Sequence, residues 1–383
     1  MKNIEIGVSK EEEKDQASLF HGDLLEKIFA HTPLIDLVCA SFVSKTWKFA
    51  VLSSLSNVNK VKPWLLVHTT SLAKKITTHA FDPRSNTWVE ICHLPYPIKK
   101  ISPIQSLGST LIYEFSSEGL FFSMDSLYLV WQHIPPPKNV WRVDPIIVVV
   151  GPYVIVAGGN TGFWDDSLTV EMYDMEASHW FTCKSMPTTF KNSSTTTWLS
   201  VASNQQMMYV MEKASGITHI FTPKTKTWSG PYDLQPDPSA YFSVIGFSGD
   251  DLIIVGLLGN PESVLTLKIW KIDSQVIEFD EIGEIPIELL EKLKGEDCYF
   301  LSSITLLATK DFFYLYNTSN PAEIIFCEIN EKKCKWGSVK NLVLNDESKL
   351  GERMALSCSS VGIANLQKAM NSRNLKFVAK SYV

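Results

Sequence analysis

Apolar residues follow two different rhythms along this chain, and the change falls near residue 60. Before it they recur at helical spacing. Leu24, Leu25, Ile28 and Phe29 share one helical face; Leu34, Leu37, Val38 and Phe42 share a second; Trp47, Ala50 and Val51 share a third. Asp23 with Glu26 three residues on has the form of a capping box. Thr32 before Pro33, and Ser44 before Lys45, are further helix-start signals. Three short helices in about 35 residues bury little apolar surface among themselves, because domains that small are marginal. Some of these side chains are therefore expected to face a partner.

From residue 62 onward the helical period gives way to short runs rich in Val, Ile, Phe, Tyr and Thr, broken by Pro, Gly, Asn and Asp. One phrase recurs: an apolar strand, a polar turn, an aromatic, then a proline. Its clearest copies are 79–95, 170–187 and 218–236; weaker ones are 127–137, 269–286 and 324–336. The aromatic anchors are Trp88, Trp131, Trp180, Trp228, Phe279 and Trp336. A period of about 50 residues with four strands per unit predicts a β-propeller of six blades. The tryptophans are expected to pack between blades. The first unit lacks its innermost strand, and Met354–Ser359 follows the last unit with no strands after it. That strand is expected to complete the first blade and close the ring, which removes exposed edges. The expected organisation is a tail at 1–17, a helical domain at 18–60, a propeller at 61–363, and a tail or short helix at 364–383. The fold class is α+β multidomain.

The helical segment resembles an F-box. Asp23-Leu24-Leu25, Ile28-Phe29, Pro33, Asp36-Leu37 and Val43-Ser44-Lys45-x-Trp47 match that pattern in order and spacing, while Phe20-His21 and Thr32 stand where the family has Leu-Pro and Leu. Gly158-Gly159 followed by Tyr173-Asp174 stands in the order of a kelch motif, and Phe81-Asp82 echoes its second half. Together the two parts resemble the plant F-box/kelch-repeat proteins. The resemblance implies a non-catalytic substrate receptor of a Skp–cullin–F-box ubiquitin ligase. The helices would dock on a Skp-type adaptor, and through it on a cullin–RING ligase; the propeller would hold a target protein. The positions carried over to the adaptor or to the F-box's own core are Leu24, Leu25, Ile28, Phe29, Pro33, Leu37, Val43 and Trp47. Two rival readings remain: an F-box-like scaffold outside a ligase, and a propeller enzyme or lectin with a helical extension.

Composition narrows the choice. The 383 residues are 45% hydrophobic and 20% charged, with a formal net charge of −6. That balance argues against general nucleic-acid binding, which needs a basic surface. No apolar run reaches the length a membrane helix needs. Seven scattered cysteines without a C-x-x-C pair suit reduced thiols in cytoplasm and/or nucleus. The eight histidines show no H-x-H or H-x-x-x-H pair, and there is no P-loop, G-x-S-x-G or H-E-x-x-H. No cofactor, metal or catalytic residue is called for.

In a four-stranded meander the a–b and c–d turns lie at one end of the strands, and the b–c and d–a links at the other. The second set reads as longer here and is expected to bind the target, since binding concentrates on loops of a rigid scaffold. The F-box is expected at the short-turn end. Candidate contacts are Phe163, Trp164, Asp165 and Asp166, then Tyr96, Lys99, Lys100, Trp141 and Arg142. Exposed aromatics beside charges are common interface anchors. A loop folded onto its own blade is an equal alternative for residues 163–166.

Overall fold

The computed structural model describes residues 22–70, 76–93, 104–139, 142–160, 166–273, 278–295, 300–330, 333–344, 353–371 and 375–380. The fold is a set of short N-terminal helices followed by a six-bladed all-β propeller of antiparallel sheets. The chain divides into two compact units. One holds Met1–Trp64, His79–Leu94 and Ser360–Val383; the other holds Leu65–Thr78 and Pro95–Ser359.

The first unit contains α1 (Asp23–His31), α2 (Leu34–Ala40) and α3 (Lys45–Ser53), which runs on into a π-turn at Ser54–Val58. Ser44 caps α3: the Trp47 N–H donates to its hydroxyl at 3.1 Å. The other two expected caps differ. Gly22, not Asp23, precedes α1, and no side chain caps it. Asp23 instead lies in the first turn, where its charge suits the helix dipole. Thr32 ends α1 and does not start α2; its hydroxyl donates to the Ile28 carbonyl at 3.0 Å, and Pro33 precedes α2.

The same unit holds the c–d turn and strand d (Thr87–His93) of the first sheet. The stretch read as a tail or short helix is more ordered than that. It forms a helix, Ile363–Asn371, and then a strand, Leu375–Lys380, that pairs antiparallel with strand d from Leu375 opposite His93 to Lys380 opposite Trp88. The first sheet therefore has five strands, ordered 353–359, 64–70, 76–82, 87–93, 375–380.

The second unit holds five four-stranded meanders whose first strands are Gln105–Leu107, Ile146–Val150, Leu199–Ser203, Ala240–Ser248 and Ile304–Thr309. Its apolar clusters lie between sheets, which is why each sheet needs neighbours. Ile147, Val154 and Val156 of the third sheet pack with Leu111, Leu120 and Phe122 of the second, and Trp180 lies against them. Trp228 packs likewise against the third and fourth sheets, Phe279 against the fourth and fifth, and Trp336 against the fifth and sixth. Two of these tryptophans also reach back to the preceding blade. Trp180 Nε1 donates to the Pro135 carbonyl at 2.9 Å, and Trp228 Nε1 to the Lys184 carbonyl at 3.1 Å. Gly158 has φ +65° and sits so close to the Ser194 carbonyl that a Cβ would collide with it, so the glycine pair serves a turn.

The links between strands depart from the expected lengths in two sheets. In the second, the b–c turn is tight (117–118) and the c–d link is long (124–131). In the fifth, strands b and c run on to Asn260 and from Ser263, leaving only residues 261–262 between them. The Asn260 side chain accepts from the Glu262 and Ser263 N–H groups and closes that turn.

Candidate functional site

In the first unit, packing sorts the expected docking residues into two groups. Phe29 and Leu37 are buried within the unit; Leu25, Pro33 and Trp47 are partly buried. The Phe29 and Trp47 rings meet edge to face, 5.3 Å apart, and join α1 to α3. Leu24, Ile28 and Val43 remain 54%, 52% and 61% exposed. Leu24 and Ile28 are one helical turn apart and share a face.

Apolar side chains outside the motif are exposed as well: Phe42 at 70%, Phe49 at 72% and Leu52 at 47%. Large apolar side chains left exposed on short helices and the turn between them are candidates for an interaction site. The signal for Phe49 and Leu52 was their apolar character on a helix whose core face was already filled by Ala50 and Val51.

The helices are held by the c–d turn of the first sheet. Asp82 accepts a hydrogen bond from the Leu34 N–H at 3.1 Å, at the start of α2. Arg84 is buried and spreads its donors over three carbonyls. It donates to Phe29, to Thr32 at 2.5 Å and to Asn59 at 2.9 Å. Asn59 returns a bond to the Ala30 carbonyl at 2.8 Å. The carbonyls that end α1, which a helix leaves without intrahelical donors, are thus satisfied by side chains from elsewhere in the unit.

In the second unit, the loop candidates separate differently. Phe163, Trp164, Asp165, Tyr96, Lys99, Lys100 and Trp141 lie outside the described residues. Asp166 is exposed, and its carboxylate accepts from the Leu168 N–H at 3.0 Å and the Ser185 hydroxyl at 3.2 Å. Arg142 is corrected: its side chain is fully buried and pairs with Glu171 at 2.5 Å. It also donates to the Thr169 carbonyl at 2.8 Å. A buried guanidinium without such partners would be strongly destabilising, so this arginine serves the fold of the third blade and not a target.

The innermost strands enclose a cavity of about 750 Å³ lined by Ser109, Ser200, Ser203 and Thr305 among others. Lys213 borders it on the b–c side and donates to the Thr196 and Thr197 carbonyls at 2.8 and 3.1 Å. Burial pulls its pKa down to about 8, against the opposing pull of Asp144. Trp198 and Phe300, on d–a links, are 60% and 58% exposed. Neither stands out in the sequence, because an exposed aromatic beside a strand has the same local pattern as a buried one.

Residues 21–59 match the F-box domain family. An F-box/kelch-repeat protein of Arabidopsis thaliana is 38% identical over 381 residues, covering 96% of each chain. Among solved structures, a chain of the nidogen/laminin complex is 11% identical with a TM-score of 0.43, over 78% of this chain and 99% of that one. An oligogalacturonate lyase from Vibrio parahaemolyticus is 8% identical with a TM-score of 0.39, over 71% of this chain and 74% of that one. These last two carry no argument about what the chain does. Its match to the Arabidopsis relative runs through helices and propeller alike, and the chain belongs to the F-box/kelch-repeat proteins.

Proposed function

We propose that this protein is the substrate-recognition subunit of a Skp–cullin–F-box ubiquitin ligase. Leu24, Ile28, Val43, Phe42, Phe49 and Leu52 would dock on the Skp-type adaptor; Phe29, Leu37 and Trp47 hold the helices that present them. The single observation that carries this reading is that apolar set, exposed on the helices and the turn between them, in a family whose F-box domains bind such adaptors. The protein itself performs no chemistry in this reading. It brings a target to a partner enzyme, and the gain is one of effective concentration. The b–c and d–a links of the propeller are assigned to the target, since binding concentrates on loops of a rigid scaffold, with Asp166, Trp198, Lys213 and Phe300 among them. The described cysteines are free thiols, which fits work in cytoplasm and/or nucleus.

The test is calorimetric titration of the purified chain with a Skp-type adaptor. Leu24→Asp with Ile28→Asp is expected to weaken binding by more than about 100-fold, since two carboxylates would lose their water in the seam. Both side chains are exposed in the free chain, so its thermal unfolding should not move. Binding that survives the double change removes these residues from the interface; an unaltered chain that binds no adaptor removes the ligase reading.

A further inference from the structure

We infer that the C-terminal helix and strand are the second half of the adaptor-docking module, so that adaptor binding depends on residues more than 300 positions away from the F-box motif. The inference rests on the docking role proposed above and adds the part of the chain that makes it possible.

The three docking helices are nine, seven and nine residues long. Helices of that length are marginal in water unless a partner buries one face. α2 is the extreme case: Leu34, Ile35, Leu37 and Val38 are all buried, and at 3.6 residues per turn they span an arc of about 160°, a face broad enough to need more than one neighbour. α3 covers one side. The helix Ile363–Asn371 covers another, with Leu366 and Ala369 fully buried on its inner face while Lys368 and Met370 stay exposed. The Gln367 side chain donates to the Ser41 hydroxyl at 3.2 Å, just past the end of α2, and that hydroxyl donates to Val38.

The strand that follows is fixed in turn. Leu375–Lys380 pairs along strand d of the first sheet. The turn before strand d carries Asp82 and Arg84, which hold α1 and α2. The docking helices are therefore clamped twice, once by that turn and once by the C-terminal helix, and the strand pairing ties the two clamps together. The stretch that matches the F-box family, 21–59, contains neither clamp.

The deciding experiment uses the full chain carrying Leu366→Asp, a chain ending after Ser359, and Lys224→Ala as a remote control. Amide hydrogen exchange over residues 23–53 and adaptor affinity are read together. Leu366→Asp and the truncation are expected to speed exchange in 23–53 at least tenfold and to weaken adaptor binding at least tenfold. Strands 199–212 should keep their protection, and Lys224→Ala should change neither reading. Adding a synthetic 360–383 peptide to the truncated chain should restore part of both. If Leu366→Asp disturbs strands 199–212 as well, the milder Leu366→Ala takes its place. Either reading that stays within twofold of the unaltered chain, exchange in 23–53 or adaptor affinity, overturns the inference. An unaltered chain that fails to bind the adaptor instead sinks the docking role, and the exchange result still stands by itself.

Discussion

Arg84 holds a charge almost out of contact with water, where only hydrogen-bonded partners make it tolerable. Replacing it with Met keeps the bulk and removes the donors to Phe29, Thr32 and Asn59. Each orphaned carbonyl costs roughly 1–3 kcal/mol, so Arg84→Met is expected to destabilise the helical unit by about 3 kcal/mol. Faster amide exchange in 23–40 would report it. His93, opposite Leu375 in the C-terminal pairing, gives a pH dependence. Burial pulls its pKa from the ordinary 6.5 to about 4. The unfolded chain takes the proton near 6.5 and the folded one only near 4, so the unfolded state binds more protons in between. Stability is therefore full above about 6.5 and falls as the pH drops toward 4. His93→Gln should remove that part of the slope in denaturant titrations between those pH values. Sequence shows little at this scale. Arg84 lies in a polar, turn-like stretch, and Arg142 reads from sequence as a loop contact for a target. Their burial depends on partners distant in the chain, such as Glu171 for Arg142, and no local pattern records such a meeting.

Elements were more legible than residues, and unevenly so. The inner strands of the third and fourth sheets follow from short β-branched and aromatic runs bounded by turn residues, and they are buried along almost their whole length. The aromatic spacing carried the blade count because each anchor has the same job. Trp228 fills the seam between two sheets and ties strand d to the carbonyl of the blade before. Trp228→Phe keeps most of the filling and loses the hydrogen bond, an expected cost of about 1 kcal/mol. Trp228→Ala also opens a cavity, at about 3–5 kcal/mol. Urea unfolding of the two variants separates the terms. Helix ends are less legible, because Thr and Ser carry the same cap signal whether they start a helix, as Ser44 does, or end one, as Thr32 does. The strand Leu375–Lys380 gave no signal at all. Six residues with two lysines read as a tail, and they are ordered by strand d, not by their own propensity.

At the scale of the molecule, the chain returns to its beginning, and the return can be cut at two places with different results. The strand 353–359 lies beside 64–70, and the Cys358 N–H donates to the Ser109 carbonyl at 2.7 Å in the second blade. The Ser109 hydroxyl donates in turn to Ala308 of the sixth, and Ser357 bonds His68 of the first at 3.0 Å. Ala355, Leu356, Ser357 and Cys358 are all buried. A chain ending after Leu344 loses this strand together with everything that follows. The apolar burial and the hydrogen bonds lost with the strand sum to at least about 5 kcal/mol, the lower end of what holds a whole domain together. It also bares the edge of 64–70, a template for pairing with other copies. That chain is expected to aggregate, or to unfold without a cooperative transition, in light scattering and calorimetry. A chain ending after Ser359 keeps the strand and loses only the C-terminal helix and its partner strand. It should stay monomeric, with the protection of strands 199–212 intact, while the docking helices loosen. Two chains differing by fifteen residues would then fail in different ways, one as a scaffold and the other as a ligand for the adaptor. Identical behaviour of the two would mean that the returning strand does not close the ring.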